Sequence, residues 1–379
     1  MEKRITGMRN LLIALAALLL VLFHHRPVQA LPLSDASHPV PVAAMKLVQF
    51  CADPKVGFDS QAVANLINHV IAPKQNKESA LPTFRNATGA YYELDTRINF
   101  SDFLKYSFSS EIPSVLTSPA SLRYSLWTDT QGKSQKMPVN WKLVPSNGKP
   151  VIIRGLEQIG ITPDINTGIH YKYKLQRTLI LLNHDNRQVI ISISKQTDIS
   201  DVGKKGVILG HDDDWNYYYS AETGSTKAGL GWVKSYIYDY FSVGVHIQSG
   251  SSPSMVRSGI FQWIRAGWSG INFAEPKHVI KGMKRYARNS KSILESPKLP
   301  EPNQLVTTYR RLLALPQHAL SEKYTALQQA RQQLAVRRNK IAIKNQESHT
   351  PREQIIQELM LEYFKISLGK PSLLKNMDI

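Results

Sequence analysis

The chain has 379 residues, 47 Lys and Arg against 29 Asp and Glu, and a single Cys. One Cys excludes a disulfide scaffold and a Cys-based zinc ribbon, and 42% hydrophobic residues with 16 Tyr, 11 Phe and 6 Trp exclude wholesale disorder. One long apolar run excludes a polytopic membrane protein, and the length is that of roughly two domains.

Residues 1–30 read as a cleavable export signal. Lys3, Arg4 and Arg9 make a positive start, Leu11 to Phe23 is unbroken and apolar, and Val28-Gln29-Ala30 has the small-x-small form of a cleavage site. The run is short of the roughly twenty residues a membrane span needs, and His24, His25, Arg26 and Pro27 close it. The mature chain is then expected to start at Leu31, without a transmembrane span, in the periplasm or outside the cell. Cys51 lies too far downstream for a lipid anchor and reads as a small core residue.

Residues 31–78 read as an extended lead-in followed by a helix from Asp59, with Val63, Leu66, Ile67 and Val70 on one face and Pro73 ending it. Residues 79–275 change period. Tyr92, Leu94, Thr96, Ile98 and Phe100 alternate with polar residues, and Leu122, Tyr124 and Leu126 repeat the pattern. Tyr171 to Leu182 and Arg187 to Ser194 flank a turn at Asn183-His184-Asp185-Asn186. Trp232 to Gln248 is a long aromatic and β-branched run. Strands following one another with short turns predict a central antiparallel sheet, a sandwich or an open barrel, with one face packed and one wet. Residues 276–302 read as a basic helix with Val279, Met283, Tyr286 and Ile293 on its apolar side, then a proline-rich linker. Residues 303–379 read as a helical C-terminal region in which Arg331 and Arg338 interrupt a coiled-coil-like seam. The fold class is therefore α+β, with flanking helices and a basic helical C-terminal region.

The charge is uneven. From Pro276 onward nineteen Lys and Arg face eight Asp and Glu. Lys277, Lys281, Lys284, Arg285, Arg288 and Lys291 fall off the apolar stripe of one helix, a pattern that attracts polyanions or anionic lipid headgroups. Export and the lack of any nucleic-acid motif leave an anionic envelope lipid, a glycan or an acidic protein as the partner, and no nucleic acid.

Chemistry-bearing motifs are few, and no catalytic residue is assigned. His211-Asp212-Asp213-Asp214 could place His211, Asp212 and Asp214 around a hard cation such as calcium if the segment is a loop, but it lacks the EF-hand pattern. Otherwise no cofactor is implied. The chain has no Gly-x-Ser-x-Gly elbow, no His-Glu-x-x-His helix and no phosphate loop. Trp232, Tyr236, Tyr238, Trp263, Arg265 and Trp268 are rich enough in aromatic surface to line a groove for a sugar ring or lipid chain.

Gly231 to Asp239 (GWVKSYIYD) and Gly259 to Gly270 (GIFQWIRAGWSG) resemble conserved-hypothetical exported proteins of Gram-negative bacteria over about Asp214 to Pro300. That resemblance implies a location and no activity. The sequence thus points to a non-enzymatic binding or scaffold protein of the cell envelope. The alternative is an envelope hydrolase built on His211 to Asp214.

Overall fold

The computed structural model describes residues 39–128, 137–227, 231–338 and 350–374, with the backbone alone for residues 225–227, 231, 232 and 251. The export segment and the side chain of Trp232 lie outside that description.

Two helices open it, α1 (Pro39–Ala52) and α2 (Ser60–Ile71). Asp59 caps α2 by accepting from the Ala62 amide at 2.8 Å. α1 begins where an extended lead-in is expected, because Pro39 suits a first helical turn and Ala43, Ala44, Leu47, Val48 and Cys51 are all buried on the sheet side. Strands β1 (Glu78–Phe84) and β2 (Ala87–Thr96) form a hairpin. The alternation that continues to Phe100 in sequence stops at Thr96. Asn99 accepts from the Asp102 amide and starts α3 (Phe100–Phe108), so a local cap overrides the two-residue period.

After a 3-10 turn at Ser114–Leu116 come β3 (Leu122–Thr128), β4 (Val151–Ile161), β5 (Ile169–His170), β6 (Lys172–His184), β7 (Arg187–Gln196) and β8 (Lys204–Ile208). A second 3-10 turn, Asp212–Asp214, precedes β9 (Tyr217–Thr223), β10 (Ser225–Lys227), β11 (Gly231–Val233), β12 (Tyr236–Ser251) and β13 (Ser254–Gly267). Four helices follow: α4 (Pro276–Leu294), α5 (Pro302–Ala314), α6 (Gln317–Arg337) and α7 (Arg352–Ser367).

Eight strands make one antiparallel sheet in the order β1-β2-β13-β12-β7-β6-β4-β3. Its hairpins obey their turns. Arg85 and Asn86, and again Asp185 and Asn186, take positive φ, the pairing that a two-residue turn between right-twisted strands requires.

Both faces of the sheet are covered. On the outer face α1 and α2 bury Phe241, Val243, Val245, Phe261 and Trp263. On the inner face α3, α4 and the C-terminal helices pack over Leu179, Leu181, Ile190 and Val256. The expected wet face is therefore absent, and the alternation marks two different interiors. The C-terminal helices share the inner core through Leu312, Leu327, Leu359 and Phe364.

α7 is buried nearly all round, including its charged residues. Gln357 accepts from the Ser125 amide at 3.0 Å and donates to the Ser125 carbonyl at 2.7 Å. One carboxamide thus does for edge strand β3 what a neighbouring strand would do. Glu358, 2% exposed, takes Arg123 at 2.8 Å and Arg331 on its two oxygens. Burial pushes this carboxyl up, but the two guanidinium groups overcome that and hold it at about 2. A folded-state pKa below the ordinary carboxylate value means stabilisation that is present above about pH 4.5 and lost as pH falls toward 2. Replacing Glu358 by Gln leaves two buried arginines unpaired, so about 3–5 kcal/mol should be lost at pH 7. Urea titrations at pH 7 and pH 3 should show that loss and a smaller acid-dependent drop than in the parent.

Candidate functional site

The inner face of the sheet carries a row of polar side chains. Adjacent-strand partners run Arg177 (β6), Ser194 (β7), Ser242 (β12) and Gln262 (β13), each directly opposite the next. Rows on either side mix apolar and polar residues: Leu175, Gln196, Tyr240 and Ile264 on one, Leu179, Ser192, Gly244 and Ile260 on the other. Helices do not fill the space above this row. A cavity of about 350 Å³ remains between the sheet and a roof made by α4, α3 and the chain around the first 3-10 turn. The roof contributes Phe103, Phe108, Thr117, Ser118, Met283 and Tyr286.

The floor holds an ion pair in an otherwise poorly solvated place. Arg177 lies 3.0 Å from Glu157, whose side chain is 9% exposed. Arg177 also donates to Ser192 Oγ at 2.9 Å, and Ser125 donates to the other Glu157 oxygen. Two polar atoms remain without a hydrogen bond: Arg177 Nε, a donor, and Glu157 Oε2, an acceptor that touches Arg177 only as a counter-charge. An unmade hydrogen bond at a buried polar atom costs about 1–3 kcal/mol. The site therefore sets a charged pair, two of whose polar atoms are sealed from solvent, at the bottom of a chamber with mixed apolar and polar walls.

His246 closes one wall. Its ring lies 5.1 Å from that of Phe103 and 5.8 Å from that of Phe108, and Nδ1 shares a 2.8 Å hydrogen bond with Ser258. Burial, helped by the charge of Arg177, lowers its pKa to about 4, so the ring is neutral at pH 7. Gly244 leaves the space that ring needs, since a Cβ there would sit 3.0 Å from His246 Nε2. The cavity opens beside α4 at Gly282, where a Cβ would meet nothing within 4 Å. Asp164 and Ile165 form the facing lip. Lys281 reaches across and donates to Asn166 at 2.7 Å. A larger groove of about 590 Å³, where Pro297 and Lys298 face Arg311 and Tyr363, is open to solvent and has no buried unbonded polar atom.

The residues singled out in the sequence lie elsewhere or do other work. The acidic segment clamps α4. Asp212 takes Arg285 on both oxygens, 2.8 Å for Nε, and a 3.0 Å hydrogen bond from Tyr217. Asp213 pairs with Arg288 at 3.1 Å, and His211 points to solvent. Asp214 is half-buried in the turn. Asp212 and Asp213 are paired with guanidinium groups, and among the described residues no group of three His, Cys, Asp or Glu is placed to hold a metal ion.

The basic helix face is likewise mostly spoken for. Arg285 is 8% exposed and buried under that clamp, contrary to its expected place on a solvated face. Lys284 pairs with Glu78 at 2.7 Å, Lys277 with Glu275 at 2.7 Å, and Lys291 with Glu295 and the Asp95 carbonyl. Of the residues expected to line an aromatic groove, Trp263 lies apart from the rest, and the side chain of Trp232 is outside the described residues. Trp263 is 1% exposed on the outer face, donating to the Pro82 carbonyl at 2.9 Å. Arg265, held by Asp239 at 2.6 Å, lies under Tyr238. Tyr236 packs on Tyr238, and Trp268 stacks on Phe273 at 3.8 Å. None of these lines the cavity.

The cavity residues escaped the sequence because Arg177, Ser192, Ser194, Ser242 and Gln262 read as solvent-facing positions of alternating strands. The usable signal is that one strand after another places Ser, Arg or Gln at the same level among apolar neighbours.

No known protein family and no curated protein matches the sequence. Among solved structures the chain is similar to Human StAR-related lipid transfer protein 5, at 10% identity and TM-score 0.33, over 69% of this chain and 96% of that one. It is similar too to Human StarD13 (DLC2) lipid transfer and protein localization domain, at 11% identity and TM-score 0.27, over 61% and 95%. At that level of overlap the likeness is one of outline only.

Replacing Asp212 by Asn should cost about 3 kcal/mol, since it leaves Arg285 buried without its counter-charge. Denaturant titration measures the loss. Adding calcium to the parent protein should leave the unfolding midpoint where it was.

Proposed function

We propose that the protein binds a small amphipathic, lipid-like molecule in the cavity beneath α4, and that it acts as a carrier or receptor without performing chemistry on it. The observation that carries this reading is a chamber of about 350 Å³ between the sheet and its helices, with Phe103, Leu175, Ile260, Ile264 and Met283 among its lining and the Arg177–Glu157 pair at its floor. At about 30 Å³ per heavy atom, the chamber has room for a ligand of at least a dozen atoms. Arg177, 19% exposed, and Glu157, 9% exposed, give the floor a polar pair beside which a hydroxyl head can lie. The formal charges facing the floor cancel and His246 is neutral, which favours an uncharged head over a carboxylate or an amine. Export, as read from residues 1–30, is part of the same proposal. N-terminal sequencing of the protein from its own compartment tests it, with Leu31 the expected first residue.

Displacement of the fluorescent probe N-phenyl-1-naphthylamine measures binding. Decanol should displace it at concentrations about tenfold below decanoate or decylamine, a difference of about 1.4 kcal/mol. Ser242→Leu plugs the chamber with an apolar side chain and should abolish displacement while keeping the fold. Gly282→Ala should keep binding and stabilise α4 by up to about 1 kcal/mol. Equal binding of alcohol by the parent and Ser242→Leu would falsify the assignment of the cavity.

A further inference from the structure

The end of the sheet at which the cavity opens has a surface of its own. β13 ends there at Gly267, β12 begins, β4 ends, and the tip of the β1–β2 hairpin lies alongside. The turn from β13 into α4 projects Ile271, 54% exposed, and Phe273, 43% exposed. Trp268, half-buried, stacks on Phe273.

This turn is rigidly built. Ser269 and Gly270 both take positive φ. The Gly270 amide donates to Tyr238 Oη at 2.8 Å. Asn272 accepts from the amides of Ala266 and Ala274, and it donates to the Asn86 carbonyl and Thr88 Oγ1. A turn so fully bonded does not fold its apolar side chains inward, so their exposure is fixed by the backbone.

Three basic residues around it have no carboxylate partner among the described residues. Lys284 and Lys277 have carboxylate partners, but Lys281 is bonded to the neutral Asn166. Arg85 at the hairpin tip lies over Phe84, and Lys234 before β12 is exposed. Among the described residues none of Arg85, Lys234 and Lys281 is paired with a carboxylate. Asp198 and Asp201 lie on the same rim, Asp201 on the segment that bonds Ser235 and Ile237 next to Lys234, so the positive corner centres on Arg85 and residues 268–281, with Lys234 at its edge.

We propose that this corner is a membrane-docking surface: Trp268, Ile271 and Phe273 enter the headgroup region of an anionic bilayer while Arg85, Lys234 and Lys281 engage its phosphates, placing the mouth at Gly282 against the lipid. Aromatic and aliphatic side chains held out among unpaired cations have the composition of an interfacial anchor. The delivery role rests on the cavity reading above, but the docking does not.

The test uses the full chain and sedimentation with vesicles of phosphatidylcholine doped with phosphatidylglycerol. Ile271→Asp with Phe273→Asp should weaken vesicle binding at least about tenfold, from the apolar burial lost. Leu143→Asp serves as control. Leu143 is 47% exposed on the segment before β4, at the other end of the sheet, and its replacement should change nothing. Brominated lipid should quench a component of tryptophan emission that Trp268→Phe removes. Lys281→Gln with Arg85→Gln should weaken binding to doped vesicles and leave the weak binding to pure phosphatidylcholine alone. Decanol displacement in solution should be the same for the Ile271/Phe273 double variant as for the parent. Vesicle binding unchanged in that variant, equal loss with Leu143→Asp, or no Trp268 quenching overturns the proposal. A protein that docks normally but fails to take up decanol overturns only the cavity reading.

Discussion

The ion pair of Arg285 with Asp212 sets the geometry on which the binding chamber depends. α4 lies over a hollow, so the usual source of helix placement, dense apolar packing, is weak along its first half. Val279 and Met283 meet only Ala90 and a few partly buried neighbours. Position must then come from directional polar contacts. Arg285 supplies two hydrogen bonds to Asp212, one to the Pro163 carbonyl at 3.2 Å and one to Tyr217 at 3.2 Å. One turn further on, Asn289 accepts from Trp215 at 2.6 Å and donates to the Arg285 carbonyl. The segment before β9 thus grips α4 at two successive turns of one face. Burying a guanidinium is costly, and it is tolerated only where the carboxylate geometry is good and the remaining donors are satisfied. Here they are, and the helix stays above the sheet at a distance that its own apolar stripe would not fix.

Two buried arginine–glutamate sites in the same molecule show what separates structure from function. Glu358 is surrounded: Arg123, Arg331 and Gln354 fill both oxygens, and Arg123 also stacks over Tyr219 at 3.8 Å. Arg331 Nε and Gln354 Oε1 stay unbonded there, as Arg177 Nε and Glu157 Oε2 do at the second site, so an unmade hydrogen bond does not separate the two. Place does: Glu157 and Arg177 line the cavity, whereas Glu358 ties α7 to Arg331 of α6 and Arg123 of β3 and holds those elements together.

Much of the architecture is legible in the residues, and the site is not, for a reason that lies in the period-two rule itself. Alternation in Tyr171 to Leu182 and Arg187 to Ser194 identifies two strands and their turn correctly, because Asp185 and Asn186 carry the positive φ that the hairpin needs. The apolar stripe Val279, Met283 and Ile293 identifies the buried side of α4 equally well. Alternation says only that two faces differ. It cannot distinguish a face turned to bulk water from one turned to an internal cavity, and Ser192, Ser194 and Arg177 look the same in both cases. The helix at Phe100 is hidden for a related reason, since one capping asparagine ends a pattern that composition alone continues. His211 to Asp214 misleads because the residue that uses Asp212, Arg285, lies 73 positions away.

The same limit governs charge. Counting Lys and Arg along α4 describes a strongly basic helix, but a count ignores the carboxylates that folding brings opposite: Glu78 from the edge strand and Asp212 and Asp213 from the second 3-10 turn. These pairings remove most of the field the helix would carry alone, since opposite charges at contact distance cancel beyond about a Debye length. What remains is decided by topology. Lys281 finds an asparagine, Arg85 is carried out on a hairpin tip, and Lys234 is exposed just before a strand. All three come to the end of the sheet where the cavity opens, beside apolar side chains that a fully bonded turn holds in solvent. Neither the unpaired charges nor the exposed Ile271 and Phe273 would be notable alone, since single exposed apolar residues are common on soluble proteins. Their concentration beside the cavity lip at Gly282 gives the surface a direction.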